Sequence, residues 1–284
     1  MTSQLKTLLL LALLTGLIML LGGALGGKTG LLIAFGFALL MNVGSYWYSD
    51  KIVLKIYKAK VLTPQEAPML HRMVEDLANN AGIPKPRVAI IPDESPNAFA
   101  TGRNPENAVV AVTEGLVRLL SPDELRGVVA HEIGHVANRD ILIQSVAGVL
   151  ASVIMMIANM LQWGAIFGMG SSRDGEGGGN MFTLLLMAIV APLAASLIQF
   201  AISRSREYLA DATGAKICGN PLALASALGK ISSYSKQIPM HGGNSATAHM
   251  FIINPFSGGN MAKLFSTHPP VEDRIAKLKA MSSR

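Results

Sequence analysis

Ser121-Pro122-Asp123-Glu124-Leu125-Arg126-Gly127-Val128-Val129-Ala130-His131-Glu132-Ile133-Gly134-His135 is the stretch from which the rest of this 284-residue chain can be read. Ser121 with Glu124 three residues on, and Pro122 between them, spells a capping box with proline at the first helical position. A helix therefore starts here, and it carries the two histidines. Histidines four apart on a helix leave from one face, one turn from each other. Two imidazole nitrogens so placed can bind one Zn²⁺, and Glu132 between them can work on a bound water.

The surroundings of this helix are apolar. Half of all residues are hydrophobic and only 15% are charged, against roughly 25% in an ordinary soluble domain. The excess is concentrated in four runs, at about 5–25, 31–48, 141–167 and 181–202, which marks a membrane protein. A cleaved signal peptide is the alternative for the first run, but it is long enough to span and a second run follows at once. The stretch 164–180 is rich in Gly and Ser and reads as a turn between the last two runs. Lys51, Lys55, Lys58 and Lys60 follow the second run, Arg139 precedes the third, and Arg204 and Arg206 follow the fourth. The two short connections hold only Lys28 and Arg173. By the excess of Lys and Arg on the inner side, both termini and both long polar segments face the cytoplasm. The one cysteine, Cys218, excludes an intrachain disulfide and fits a reducing compartment. A net charge of +6 raises nucleic acid as a partner, but the basic residues lie beside membrane segments and no nucleic-acid motif appears.

The expected fold is mainly α with a small β-sheet: four transmembrane helices and one cytoplasmic domain. Residues 1–50 and 141–203 form two transmembrane hairpins. Residues 51–140 and 204–284 together suffice for one globular domain. Thr63-Pro64-Gln65-Glu66 is a second capping box, predicting a helix from Pro64 to about Gly82. Residues 87–91 and 108–113, with 98–101 between them, read as short strands. No breaker stands between Val136 and the third run, so the metal helix is expected to continue into the membrane or to kink there. That places the metal at the bilayer surface, not inside it, since Asp123, Glu124, Arg126, Asn138, Arg139 and Asp140 flank the motif.

Catalytic zinc takes three protein ligands and keeps one position open. Arg204-Ser205-Arg206-Glu207-Tyr208-Leu209-Ala210-Asp211 follows the fourth run. Glu207 stands about as far from the membrane as His135 and is the best third ligand. Asp211, one turn on, could accept the other ring N–H of a ligating histidine. The competing reading pairs both acids with Arg204 and Arg206 on a solvated helix face. His268, held between Thr267 and Pro269-Pro270, is a candidate donor to the oxyanion, or an ordinary loop histidine. His71, His241 and His249 have no such support and read as surface or packing residues.

These motifs, together with Asn97-Ala98-Phe99-Ala100-Thr101-Gly102, resemble the HtpX family of bacterial membrane zinc metalloproteases, over the whole chain and in the same order. The resemblance implies a gluzincin: one Zn²⁺ per chain on His131, His135 and Glu207, with Glu132 as catalytic base. It also implies that Asn97, Ala98 and Phe99 form an edge strand suited to hold extended substrate by strand addition. It implies an integral endopeptidase of the inner (cytoplasmic) membrane that cuts misfolded or damaged membrane proteins under stress. A dedicated processing protease of the CAAX type is the alternative within the class; four runs are fewer than such enzymes usually have. A zinc-binding membrane scaffold is the alternative outside it, although structural sites mostly use cysteine. A channel would carry charges within its spans, and these runs hold almost none. The segment 237–259, rich in Gly, Asn, Ser and Pro, reads as a long loop that gates substrate entry.

Overall fold

The computed structural model of the chain describes residues 3–152, 204–235, 237, 238, 240, 245–254 and 268–282. The expectations for the turn at 164–180, the fourth run, the end of the third run, Ser266, Thr267 and parts of 237–259 lie outside those residues. The described fold is mainly helical with one small mixed sheet.

The first helix, α1 (Ser3–Ile56), is a hairpin of two helical arms. It turns at Gly26 and Gly27, where Gly27 takes φ +55°, a left-handed conformation open to glycine. Just before the turn the arms come very close: a Cβ on Gly22 would sit 2.3 Å from Ala34 Cβ. Asn42 Nδ2 donates to Thr15 Oγ1 across the pair. Each arm holds a window long and apolar enough to cross a bilayer, Thr7–Ala24 and Gly26–Ile56. Large apolar side chains such as Leu20, Leu32 and Leu40 are exposed. The second arm continues past the apolar run to Ile56 and brings Val53 and Leu54 against the sheet.

The sheet has the order β1 (Lys60–Val61), β2 (Arg87–Ile91), β4 (Val109–Thr113), β3 (Ala98–Thr101). β2 and β4 are parallel; β1 and β3 are antiparallel to their neighbours. The side chains alternate, as strands require. Val88, Ala98, Ala100, Val110 and Val112 face one core, and Ala89, Ile91, Phe99, Val109 and Ala111 face the other. Both faces are thus covered.

The main core lies between the sheet and α2 (Pro68–Ala81), α4 (Pro122–Ala137), α6 (Arg204–Cys218), α7 (Pro221–Ser235) and α8 (Val271–Ser282). A short α3 (Glu114–Leu119) leads into α4. One detail differs from the sequence expectation. Thr63 and Glu66 do make the reciprocal bonds of a capping box, but they close a lone turn, and α2 begins at Pro68. Pro68 disfavours helical backbone at Ala67, whose φ is −141°. Of the two courses open to it, to run on into the third apolar stretch or to kink before it, the metal helix takes a break. It ends at Ala137, and Arg139 takes φ +57°, letting the N–H of Asp140 reach back to the carbonyl of His135. A separate helix, α5, then opens at Ile141 and is described to Ser152. Ile143, Val146, Ala147 and Leu150 of α5 pack on Leu10 and Leu14 of the first α1 arm.

Candidate metal centre

The site forms where α4 crosses α6. At that crossing each helix presents a glycine, Gly134 on α4 and Gly214 on α6. A Cβ on Gly214 would lie 2.7 Å from the backbone nitrogen of His131, and one on Gly134 would lie 2.9 Å from the Ala210 carbonyl oxygen. Backbone therefore meets backbone, and Glu207 and Asp211 are carried up against the two histidines. The capping box at Ser121 forms with both bonds, fixing where α4 begins. Glu124 of that box also accepts from Ser226 and Lys230 of α7, which ties α7 to α4.

His131, His135 and Glu207 each offer one ligand atom, and these atoms all lie within 4.8 Å of one another. His131 Nε2 is 3.2 Å from His135 Nε2 and 3.9 Å from a Glu207 carboxylate oxygen. The other Glu207 oxygen is 3.6 Å from His135 Nε2. All three side chains are buried. The opposite nitrogens are held by carboxylates. His131 Nδ1 lies 2.9 Å from Asp211, and His135 Nδ1 lies 3.1 Å from Asp140. With a proton on each Nδ1, both Nε2 lone pairs converge on one point, the arrangement that metal-binding imidazoles need. This donor set, two imidazoles and one carboxylate, fits zinc with a position left open. A buried carboxylate oxygen of Glu132, Oε1, stands beside it without a hydrogen-bond partner among the described residues.

Glu132 is 1% exposed. Burial pushes its carboxyl up to about 8, against the pull of His135 and Arg274 and of the Ala100 N–H on the edge strand. Burial lowers His131, with Asp211 opposing. Burial also disfavours a charged His135, but Asp140 and Glu207 outweigh it and raise that imidazole. Glu207 is held well below the carboxylate range despite burial, by His268, His135 and Arg274. His268, just before α8, places Nδ1 3.2 Å from Glu207, so the segment leading into α8 folds back onto the centre.

Sequence reasoning did not find Arg274. It is fully buried on α8 and forks onto Asp211 with bonds of 2.8 and 2.7 Å, while Nη1 donates to the Ile252 carbonyl. Despite burial, that pairing, with His131, holds Asp211 at about 2. Asp140 and Gln144 were likewise not assigned, although both reach His135 Nδ1. Asp140 was visible only as a charge flanking the motif; nothing local marks Arg274. Arg204 and Arg206 do not pair with Glu207 or Asp211 within 4 Å; Arg206 instead buries its guanidinium without a hydrogen bond among the described residues. His71 and His249 are buried packing residues whose ring nitrogens meet backbone carbonyls.

Asn97, Ala98 and Phe99 are all buried, and β3 is the sheet's outer strand on the side of the centre. Part of its free edge is occupied. Asn97 Oδ1 accepts from the N–H of Ala98, and the Ala98 carbonyl accepts from Ile252.

Residues 64–282 match the model of Peptidase family M48. A curated relative from Syntrophobacter fumaroxidans, named Protease HtpX homolog, is 58% identical over 99% of this chain and 100% of its own length. One of the same name from Pyrococcus furiosus is 58% identical over 98% of this chain and 95% of its own. The crystal structure of S. mikatae Ste24p superposes with a TM-score of 0.54 at 20% identity. It covers 97% of this chain, which spans 65% of that one.

Proposed function

The chain belongs to peptidase family M48 and is a membrane metalloprotease, and from that premise we propose that His131, His135 and Glu207 hold one zinc while Glu132 is the base. The observation that carries this reading is the convergence of three ligand atoms within 4.8 Å beside a buried, unpartnered Glu132 oxygen. Zinc, when bound there, supplies a Lewis acid that acidifies water and polarises a peptide carbonyl. Glu132 takes the proton of the attacking water and hands it to the leaving nitrogen. His268, partly exposed beside Glu207, donates to the oxygen that gains charge. Asp211 and Asp140 keep each imidazole in its ligating tautomer.

Substrates are proteins, and we read them as unfolded or damaged membrane proteins of the inner membrane. An extended segment would lie along β3 through backbone groups, since Asn97, Ala98 and Phe99 bury their side chains. It would pair beside the Ile252 contact or displace it. The chain spans the membrane four times, with residues 51–140 and 204–284 forming one peptidase domain in the cytoplasm. The Lys and Arg distribution and the α1 hairpin support that arrangement.

Cleavage of casein by detergent-purified protein tests this, with zinc restored after chelation. Glu132→Gln should hold about one zinc yet cut roughly 10²–10⁴-fold more slowly. A variant that binds zinc and cuts at the wild-type rate would remove Glu132 from the mechanism.

A further inference from the structure

A cavity of about 670 Å³ opens where the α1 hairpin meets the peptidase domain, and none of the three candidate metal ligands lines it. Its walls come from three places: Thr7, Leu8 and Tyr46 at the open end of the hairpin, Arg103 from the loop after β3, and Arg139 and Leu142 from the joint between α4 and α5. The level of this cavity in a bilayer is fixed by its neighbours. Tyr46, Trp47 and Tyr48 are all partly exposed on the second arm, and consecutive aromatic residues at the end of an apolar span sit among lipid headgroups. Arg103 stacks its guanidinium over Trp47, 4.6 Å from the ring centroid, so the domain is docked at that level.

The lining is divided. Leu8, Leu11 and Leu142 form an apolar wall continuous with the spans, while Arg103 and Arg139 supply two permanent positive charges. Arg103 is half-buried and, among the described residues, donates to the Asn107 side chain, and Arg139 is exposed. Glu106 also borders the cavity, exposed, leaving a net charge of +1 among these three. Cationic recesses between spans at the inner membrane face suit a phosphate headgroup, and a leucine wall beside it suits the start of an acyl chain.

We infer that this cavity binds one anionic phospholipid, its phosphate between Arg103 and Arg139 and its chain along Leu8, Leu11 and Leu142. The lipid then bridges hairpin and domain at the joint that follows His135. Phosphatidylglycerol is the probe. Full-length protein in an uncharged detergent is exchanged into mixed phosphatidylglycerol and phosphatidylcholine, and retained lipid is counted by native mass spectrometry. Wild type should keep one phosphatidylglycerol per chain with about tenfold preference, and R103Q/R139Q should lose that preference. K51Q/K55Q, which removes the same charge outside the cavity, should keep it. Leu8→Trp narrows the cavity with both arginines in place and should lose the lipid; it decides alone if R103Q/R139Q does not fold. An unchanged preference in R103Q/R139Q or Leu8→Trp overturns the site. An equal loss in K51Q/K55Q also overturns it, in favour of diffuse surface attraction. Displacement of the lipid by millimolar inorganic phosphate overturns the lipid in favour of a free-phosphate site.

Discussion

Asp211 and Asp140 each take one imidazole nitrogen, but they stand in different company. Asp211 also carries the fork of Arg274, a fully buried cation. Asp140 has the backbone turn at Arg139 behind it and Gln144 beside it. Asp140→Asn and Asp211→Asn should each weaken zinc binding about 10–100-fold, measured by competition with a chelator. Asp211→Asn should lower the thermal midpoint more than Asp140→Asn, because Arg274 bonds directly to Asp211 and is left a buried cation without that partner, whereas Asp140 attracts the buried Arg206 without a hydrogen bond. Equal midpoints would show that Arg274 is compensated elsewhere. The two histidines were legible because their spacing is local. Asp140 was not, since five residues along an unbroken helix it would face away from His135. The left-handed Arg139, a residue that does not announce that conformation, turns it back. Arg274 lies 63 residues beyond Asp211, and no spacing links them.

Helices α4 and α6 meet backbone to backbone at Gly134 and Gly214, and that contact sets the distance from Glu207 to the histidines. Gly214→Ala would drive a Cβ to 2.7 Å from the His131 nitrogen. We expect it to cost about 1–3 kcal/mol and to lose zinc at the same time. Gly229→Ala on α7 is the contrast, its Cβ meeting only Ile275 at 3.9 Å; it should gain about 0.5–1 kcal/mol. Calorimetry with metal analysis separates the two, and a zinc-loaded Gly214→Ala would show that the helices can part without opening the site. The join of α4 to α7 carries a pH signature. Burial works against the Glu124 carboxylate, but Lys230, the Ser121 N–H and Ser226 hold it at about 2, below its ordinary 4.5. A depressed carboxylate stabilises the fold above its unfolded pKa and loses that contribution as pH falls through the folded value. The midpoint gap between wild type and Glu124→Gln should therefore be full above about pH 4.5 and close towards pH 2. A gap that does not change over that window would mean the bonds to Glu124 contribute nothing. Both capping boxes were legible, yet only one starts a helix, because Pro68 decides the other locally.

Across the whole molecule, the apolar runs and the polar segments were separable in the sequence by composition alone. How they join was not, because the docking surfaces are made of residues far apart in the chain: Leu10 with Ile143, Arg103 with Trp47, Val53 with Phe99. The single cysteine turns the proposed topology into one experiment. Cys218, partly exposed at the end of α6, should escape a membrane-impermeant maleimide in intact cells and react after lysis. Labelling of intact cells would put the peptidase domain on the outer face. The burial of the donor atoms has a further bearing, on time rather than on strength. His131, His135 and Glu207 are 0%, 4% and 2% exposed, so an ion is expected to reach or leave them slowly while the surrounding side chains stay in place. Exchange then waits for those side chains to part, however tightly the ion is held. Removal by a chelator then levels off as chelator is added, and the plateau is the opening frequency of the site, the same opening that a polypeptide must use to enter.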